Sequence, residues 1–374
     1  MGNRVRDPFS LTRRGLGRRN LIHLHYLHGR LPIAMVNKTS DASVAYRSGQ
    51  DVDGADGEPC SPPLKRVKRG SALERRMRPA APMLNAPIKW VGGKKKLRTK
   101  IVELIPPHTC YVEVFGGAGW ILFAKEKSDV EIWNDIDSEL VNFYSIVKTR
   151  PAEFIETFDL TIVSREIFEN FRYADLSRMN ELERAHRFYY LIMAGWGGEL
   201  DLPRIQTSIS DGGHGNRLIG AIKHLRQKIQ PIHDRLQTVI IEHLNWRECT
   251  ERYDREGVFM YLDPPYPDNN CNYRHNMRSF EEHKELVEWM RHSKCKWLLT
   301  NYDKPAVRKL YEEFNILEVD FASGMDFNDG ERRNREIIVT NYNTTLTSRQ
   351  LNANGFSPAT QPGNTSSPTL KEWT

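Results

Sequence analysis

Residues 111–119 read Tyr111-Val112-Glu113-Val114-Phe115-Gly116-Gly117-Ala118-Gly119. A short apolar run passes directly into a glycine loop, and a helical apolar pattern follows through Ala124. Strand, glycine turn and helix in that order open an α/β unit. Working outward, residues 131–133 form a second strand that ends in Asn134-Asp135-Ile136-Asp137. Further strands are expected at 239–242, 258–262, 297–300 and 336–340, with a helix over 280–291. This alternation predicts a mainly parallel, doubly wound sheet. Residues 139–230 interrupt it and read as mostly helical. There Ala185, Phe188, Tyr189 and Ile192 fall at i, i+3, i+4 and i+7, and Leu218, Ile222, Leu225 and Ile229 follow with wider steps. The block looks like a domain inserted between strands two and three.

The ends have a different texture. Residues 1–82 are rich in Arg, Gly, Pro, Ser and Asp and sustain no hydrophobic period, which predicts a disordered basic arm. Pro63-Leu64-Lys65-Arg66-Val67-Lys68-Arg69 within it reads like a nucleic-acid or localisation patch. Residues 343–374 turn Thr/Ser/Asn/Pro-rich and are expected to be a disordered tail. The net charge of the 374 residues is +6, yet residues 1–85 hold 16 Lys/Arg against 7 Asp/Glu, leaving 38 against 41 for the rest. Any nucleic-acid face on the folded part is therefore local. No apolar run approaches the ~18–20 residues of a membrane span. The five cysteines lie far apart with no CxxC pair, which argues against a zinc site or a disulfide framework and fits a reducing cytoplasm.

Three segments carry chemistry. Asp263-Pro264-Pro265-Tyr266 directly follows the apolar run 258–262, at a strand's carboxyl end, where open α/β sheets bind ligands. A carboxylate (Asp263) and a backbone carbonyl (Pro264) can accept both N–H bonds of an aromatic amine and aim its lone pair. Two prolines keep the loop rigid, so those acceptors are pre-placed. Tyr266 offers a flat face for an extruded base. The second segment is the loop from Phe115 to Gly119, where glycines admit a ligand close to the backbone. Counting from Gly117 and Gly119, a dinucleotide fingerprint needs glycine at 122, where Leu122 stands. Asp135, at the next strand's end, can accept hydrogen bonds from two ribose hydroxyls. The third is Lys89-Trp90-Val91-Gly92-Gly93-Lys94-Lys95-Lys96, a Gly-Gly turn between an aromatic and several cations.

In this order the segments resemble the DNA adenine methylase (Dam) family of class-D12 N6-adenine methyltransferases. Residues 89–94 are similar to that family's Lys-Trp-x-Gly-Gly-Lys motif, 113–119 to its Phe-x-Gly-x-Gly loop, Asp135 to its ribose-binding acid, and 263–266 to its catalytic Asp-Pro-Pro-Tyr. The likeness runs from about 87 to 342. It implies a Rossmann-like, S-adenosylmethionine-dependent methyltransferase sheet with an antiparallel seventh strand, for which 336–340 is the candidate. It implies cofactor contacts from Trp90, Lys94, Phe115, Gly117, Gly119, Asp135 and Asp263, catalysis by Asp263, Pro264 and Tyr266, and Lys89 facing DNA. The expected organisation is a catalytic domain over 83–342 with an inserted helical DNA-recognition subdomain at 150–235, acting on double-stranded DNA as a monomer without metal or membrane.

One region departs from the Dam pattern. The family branch that reads GATC carries an Asn-Gly-Leu-x-Arg-Tyr-Asn-type segment, whereas this chain has Gly195-Trp196-Gly197-Gly198-Glu199-Leu200 and a stretch from Ser208 to Arg217. A GATC target is therefore not carried over. Arg217, Lys223 and Arg226 can meet phosphates or simply form a wet helix face. Two other readings stay open: an RNA adenine methylase and a non-catalytic DNA-binding remnant.

Overall fold

The computed structural model describes residues 83–196, 203–206, 216–267, 277, 279–322, 333–344, 350 and 355–358. Helix α1 (Arg98–Leu104) buries Ile101 and Leu104 and leads to strand β1 (Cys110–Glu113). Gly119, at φ +68°, opens α2 (Trp120–Ala124), and β2 (Val130–Asn134) follows. The Asp137 carboxylate accepts the amides of Glu139 and Leu140 and so caps α3 (Ser138–Thr149). Four further helices precede the next long one's end: α4 (Pro151–Glu156), α5 (Arg165–Arg172), α6 (Glu181–Ala194) and α7 (Arg217–Lys223), and then comes α8 (Leu225–Leu236). Asn180 and Glu183 form a reciprocal capping box at the start of α6. The chain continues through β3 (Val239–Glu242), α9 (Trp246–Tyr253), β4 (Val258–Leu262), α10 (Phe280–His292) and β5 (Lys296–Tyr302). It ends in α11 (Pro305–Leu310), β6 (Asn315–Ala322), β7 (Arg333–Thr340) and β8 (Phe356–Pro358).

The strands form one sheet in the order β3-β2-β1-β4-β5-β7-β6-β8. Strands β1 to β5 pair in parallel, and β7 lies antiparallel between β5 and β6. The expected mainly parallel α/β sheet is therefore present, and the 336–340 segment falls within its antiparallel strand β7; the short β8 also runs antiparallel, against β6. Alternation along the strands loads both faces. Tyr111, Phe259, Tyr261 and Leu298 join one buried cluster, while Val112, Met260, Leu262, Trp297, Leu299, Ile337 and Val339 join the other.

The helical block between β2 and β3 does not keep a core to itself. Phe143, Phe154, Phe158, Phe168, Phe188 and Tyr189 are buried in the same cluster as Tyr111 and Leu298. Each large side chain of that kind contributes about 1.5–3 kcal/mol when fully buried. Arg235 of α8 reaches under the sheet to a buried ion pair with Glu131 of β2, which Lys125 also joins. The tail expectation needs correction at one point: Phe356–Pro358 is a strand on the edge of β6, held by the buried Phe356 ring and by Lys100 above it. The arm at 1–82 lies outside the described residues, as does the rest of the tail beyond 358.

Candidate active site

The chain leaves β1 toward β2 and β3 but leaves β4 toward β5, so the sheet order reverses between β1 and β4. Loops that follow two such strands diverge and open a crevice at their carboxyl ends. The glycine loop follows β1 and Asp263-Pro264-Pro265-Tyr266 follows β4. The topology alone sets these two segments side by side.

On the β1 side, the Gly116 amide donates to the Asn134 carbonyl at 2.7 Å, and the Asn134 side chain donates to Val114 and Leu244 carbonyls. These bonds stitch the ends of the strands together. Gly117 takes φ +48°, and a Cβ there would lie 2.9 Å from the Trp90 ring, so the indole covers the loop. The Gly117 amide donates to Asp135 Oδ2 at 2.7 Å and the Asp137 amide to Oδ1 at 2.9 Å. Burial pushes the Asp135 carboxyl up to about 6, against those two amide bonds. The Ile136 amide also bonds this carboxylate, which still keeps a lone pair for a further donor. Phe115 is half-buried against the opposite core, and a Cβ on Gly119 would meet the Phe123 ring at 2.8 Å.

On the β4 side, Lys94 Nζ lies 2.9 Å from Asp263 Oδ1 and 3.9 Å from Glu336 Oε2, donates to the Gly92 carbonyl, and sits 4.8 Å above the Tyr266 ring. Burial alone would lower the Lys94 ammonium, but the Asp263 and Glu336 charges outweigh it and hold it above the ordinary lysine value. Glu336 is raised by burial, an effect Lys94 opposes. Beneath them, burial pushes the Glu113 carboxyl up to about 8, so it stays mostly protonated at neutral pH. Tyr266 is only 7% exposed, with its hydroxyl on Glu336 and its ring edge-on to Tyr302. Its face is therefore shared with Lys94 rather than open. Pro264 is buried, and the neighbouring Pro265 carbonyl accepts from Nε2 of the buried His283.

The expected residues thus meet in two groups, Trp90 with Gly117 and Asp135, and Lys94 with Asp263 and Tyr266. Glu336, Thr300 and His283 were not singled out by sequence, and Glu113 only as the first residue of the loop motif; Thr300 lies within β5, next to β4. Beside the crevice, Lys89 is half-buried and lowered to about 8, first by burial and then by the charges of Arg217, Lys228 and Lys95. Gly197 to Leu200 and Ser208 to Gly215 lie outside the described residues.

A model of the D12 class N6 adenine-specific DNA methyltransferases matches residues 90–325, which spans both loops, Asp135 and Lys94. The chain belongs to that family. It is a DNA adenine methyltransferase with the expected α/β sheet, and the family implies S-adenosylmethionine as methyl donor and DNA as substrate. The chain is 28% identical over 272 residues to the type II methyltransferase M1.LlaDCHI of Lactococcus lactis subsp. cremoris, covering 68% of this chain and 94% of that one. It is 26% identical over 270 residues to the DNA adenine methylase of Escherichia coli K12, again covering 68% and 94%. Against the DNA N-6-adenine-methyltransferase of Escherichia phage P1 it is 25% identical over 272 residues, which are 66% of this chain and 34% of the phage protein. Among the described residues, no group of His, Cys, Asp and Glu is arranged to hold a metal, and no helix is long and apolar enough to cross a membrane.

Proposed function

We propose that this methyltransferase acts on the N6 amine of an adenine turned out of duplex DNA, with Asp263 as the activating acceptor. The observation that carries this reading is the placement of Asp263, whose side chain is 18% exposed at the crevice between the β1 and β4 loops. The amine's lone pair is delocalised into the ring, so it is a weak nucleophile. Asp263 accepts one N–H and the Pro264 carbonyl the other, which returns density to nitrogen and aims it. Tyr266 closes the pocket wall beneath, and Lys94 balances the charge of Asp263.

The β1 side fits S-adenosylmethionine. The remaining acceptor capacity of Asp135 suits ribose hydroxyls, and Trp90 over Gly117 supplies an apolar wall. Lys94 suits a carboxylate, while Phe115 and Gly119 complete the loop. When bound, S-adenosylmethionine supplies the electrophilic methyl group. The cations Lys89, Lys95, Arg217 and Lys228 suit phosphates on the adjoining face, and the last two support our reading of the helical block at 150–235 as the DNA-recognition part of a catalytic domain over 83–342. The three described cysteines are free, which suits a reducing cytoplasm, and we propose that the chain acts there as a monomer. The type II and phage relatives favour a role in restriction-modification.

Methylation-aware sequencing of DNA from cells expressing the chain tests the reading and reports base and context together. Asp263→Ala should leave duplex binding intact and abolish the mark. Asp263→Asn should be impaired by several kcal/mol in the barrier, on the order seen for other pre-organised polar groups. Near-parental turnover by the asparagine variant would remove Asp263 from the role.

A further inference from the structure

Asp263 can present only one of its oxygens freely, and its neighbours decide which. Lys94 Nζ lies 2.9 Å from Oδ1, and the Thr300 hydroxyl donates to the same oxygen at 2.8 Å. An ionised carboxylate only accepts, so Thr300 spends its one proton on that bond. The Tyr261 hydroxyl lies 3.1 Å from Thr300 Oγ1 and must then be the donor between them. Burial first, and the Asp263 charge next, hold the Tyr261 hydroxyl well above the ordinary tyrosine value, so it keeps its proton. Donation runs in one direction, from Tyr261 through Thr300 to Asp263 Oδ1.

The frame for this chain of bonds is the sheet itself. Tyr261 on β4 pairs with Leu298 on β5, and Thr300 lies two residues further along β5. With a side-chain period of two, Tyr261, Leu298 and Thr300 project onto one face, and Asp263 follows Tyr261 by the same two-residue step. Tyr261 and Thr300 are 1% and 0% exposed, so neither can reach cofactor or DNA.

We propose that Thr300, oriented by Tyr261, is a positioning residue for methyl transfer. It ties Asp263 Oδ1 to the sheet and turns Oδ2 toward the incoming amine. The proposal rests on Asp263 being the amine acceptor. Removing the Thr300 hydroxyl leaves Lys94 to hold Oδ1 and loosens the carboxylate's orientation, and Tyr266, which also bonds Thr300, keeps its bond to Glu336.

The test uses the full chain with duplex DNA and S-adenosylmethionine, reading kcat, KM, cofactor affinity by calorimetry and the melting temperature. Thr300→Val, nearly equal in volume, should lower kcat on the order of 100-fold, the scale for a misplaced reacting group, with KM for DNA and cofactor affinity unchanged. Thr300→Ser keeps the hydroxyl and should restore kcat. The valine variant strands the Tyr261 hydroxyl in the core and should melt lower. The double variant Tyr261→Phe/Thr300→Val removes both polar groups, so it should regain melting temperature but not kcat. An unchanged kcat in Thr300→Val, or a double variant that regains kcat together with stability, overturns the proposal and makes Thr300 purely structural. If Asp263→Ala itself keeps turnover, the acceptor reading falls and this proposal with it. An inactive Asp263→Ala beside a fully active Thr300→Val removes Thr300 alone.

Discussion

Replacing Asp135 by asparagine, at almost constant shape, separates the group's effect on the fold from its effect on the cofactor. Burial raises the Asp135 carboxyl from 3.8 to about 6 in the folded chain, and the amides of Asp137 and Gly117 oppose that rise. A folded value above the unfolded one means that the fold holds the proton more tightly. The group's stabilising contribution is then fully present below 3.8 and is lost as pH rises through about 6. Two units correspond to roughly 3 kcal/mol in total, about half of it falling between about pH 5 and pH 7.5. Urea melts of both proteins across that interval should show the parent losing this much relative to Asp135→Asn. Other buried carboxyls, Glu113 among them, titrate alike in both proteins and cancel in the difference.

The cofactor should reverse the preference. If ribose hydroxyls donate to the ionised carboxylate, as proposed, binding expels the proton and affinity should fall roughly tenfold per pH unit below the carboxyl's folded value. Calorimetry in two buffers of different ionisation enthalpy reads the released proton directly. Asp135→Asn should bind more weakly and show no such slope, and Asp135→Ala should lose roughly 1–3 kcal/mol of cofactor affinity. Equal affinity in parent and variant, or a parent whose affinity is flat with pH, would take Asp135 out of the site.

Gly117→Ala should weaken cofactor binding and shift Trp90 fluorescence, since the residue sits at φ +48° with Trp90 against it. The left-handed backbone alone costs about 1–2 kcal/mol with a Cβ. Lys89, lowered to about 8, should take up a proton when phosphate approaches, so duplex affinity should drop as pH rises through that value. Anisotropy titrations should show the slope in the parent and not in Lys89→Arg, which stays charged throughout; an identical slope in both would place Lys89 away from DNA. Deleting residues 1–82 removes 16 Lys/Arg against 7 Asp/Glu. The truncated chain should fold, methylate the same sites and bind DNA with a shallower dependence of log affinity on log salt. Loss of cofactor binding on truncation would mean the arm is structural.

What was legible in the sequence was local. The glycine loop, Asp135 and Asp263 each sit directly after an apolar strand, so chemistry and position are read from the same few residues. Glu336 and Thr300 stand 73 and 37 positions from Asp263, and only the strand order brings them beside it. Strand β6 does carry a readable period of two, with Leu317, Val319 and Phe321 alternating with Glu318 and Asp320. Its acids face Arg308 and Arg335, which gives that run the look of a solvated segment. Strand β8 is three residues long and offers a single buried ring, Phe356, too little for any periodic signal. The flat Tyr266 face expected for a base depends on Lys94, a residue 172 positions earlier that occupies the space above it.

The sign of the charge at each place explains why the bulk charge was a poor guide. Asp263 and Glu336 share Lys94 on the β4 side and Asp135 lies on the β1 side, so the crevice tends negative once Asp135 ionises. A sulfonium donor is cationic, and such a pocket attracts it while repelling phosphate. The neighbouring face does the opposite: Lys89 is depressed first by burial and then by the charges of Arg217, Lys228 and Lys95. A chain that needs an acidic hollow and a basic rim has no reason to be strongly basic overall, and beyond residue 85 it holds 38 Lys/Arg against 41 Asp/Glu. On the proposed function, long-range attraction to duplex DNA would fall to the arm and placement of the duplex to the rim. On this argument salt should weaken encounter and the arm's contribution first. The methyl-transfer step itself, framed by Tyr261, Thr300 and Lys94 inside the fold, should respond far less, so single-turnover rates at saturating DNA should stay nearly constant as salt rises.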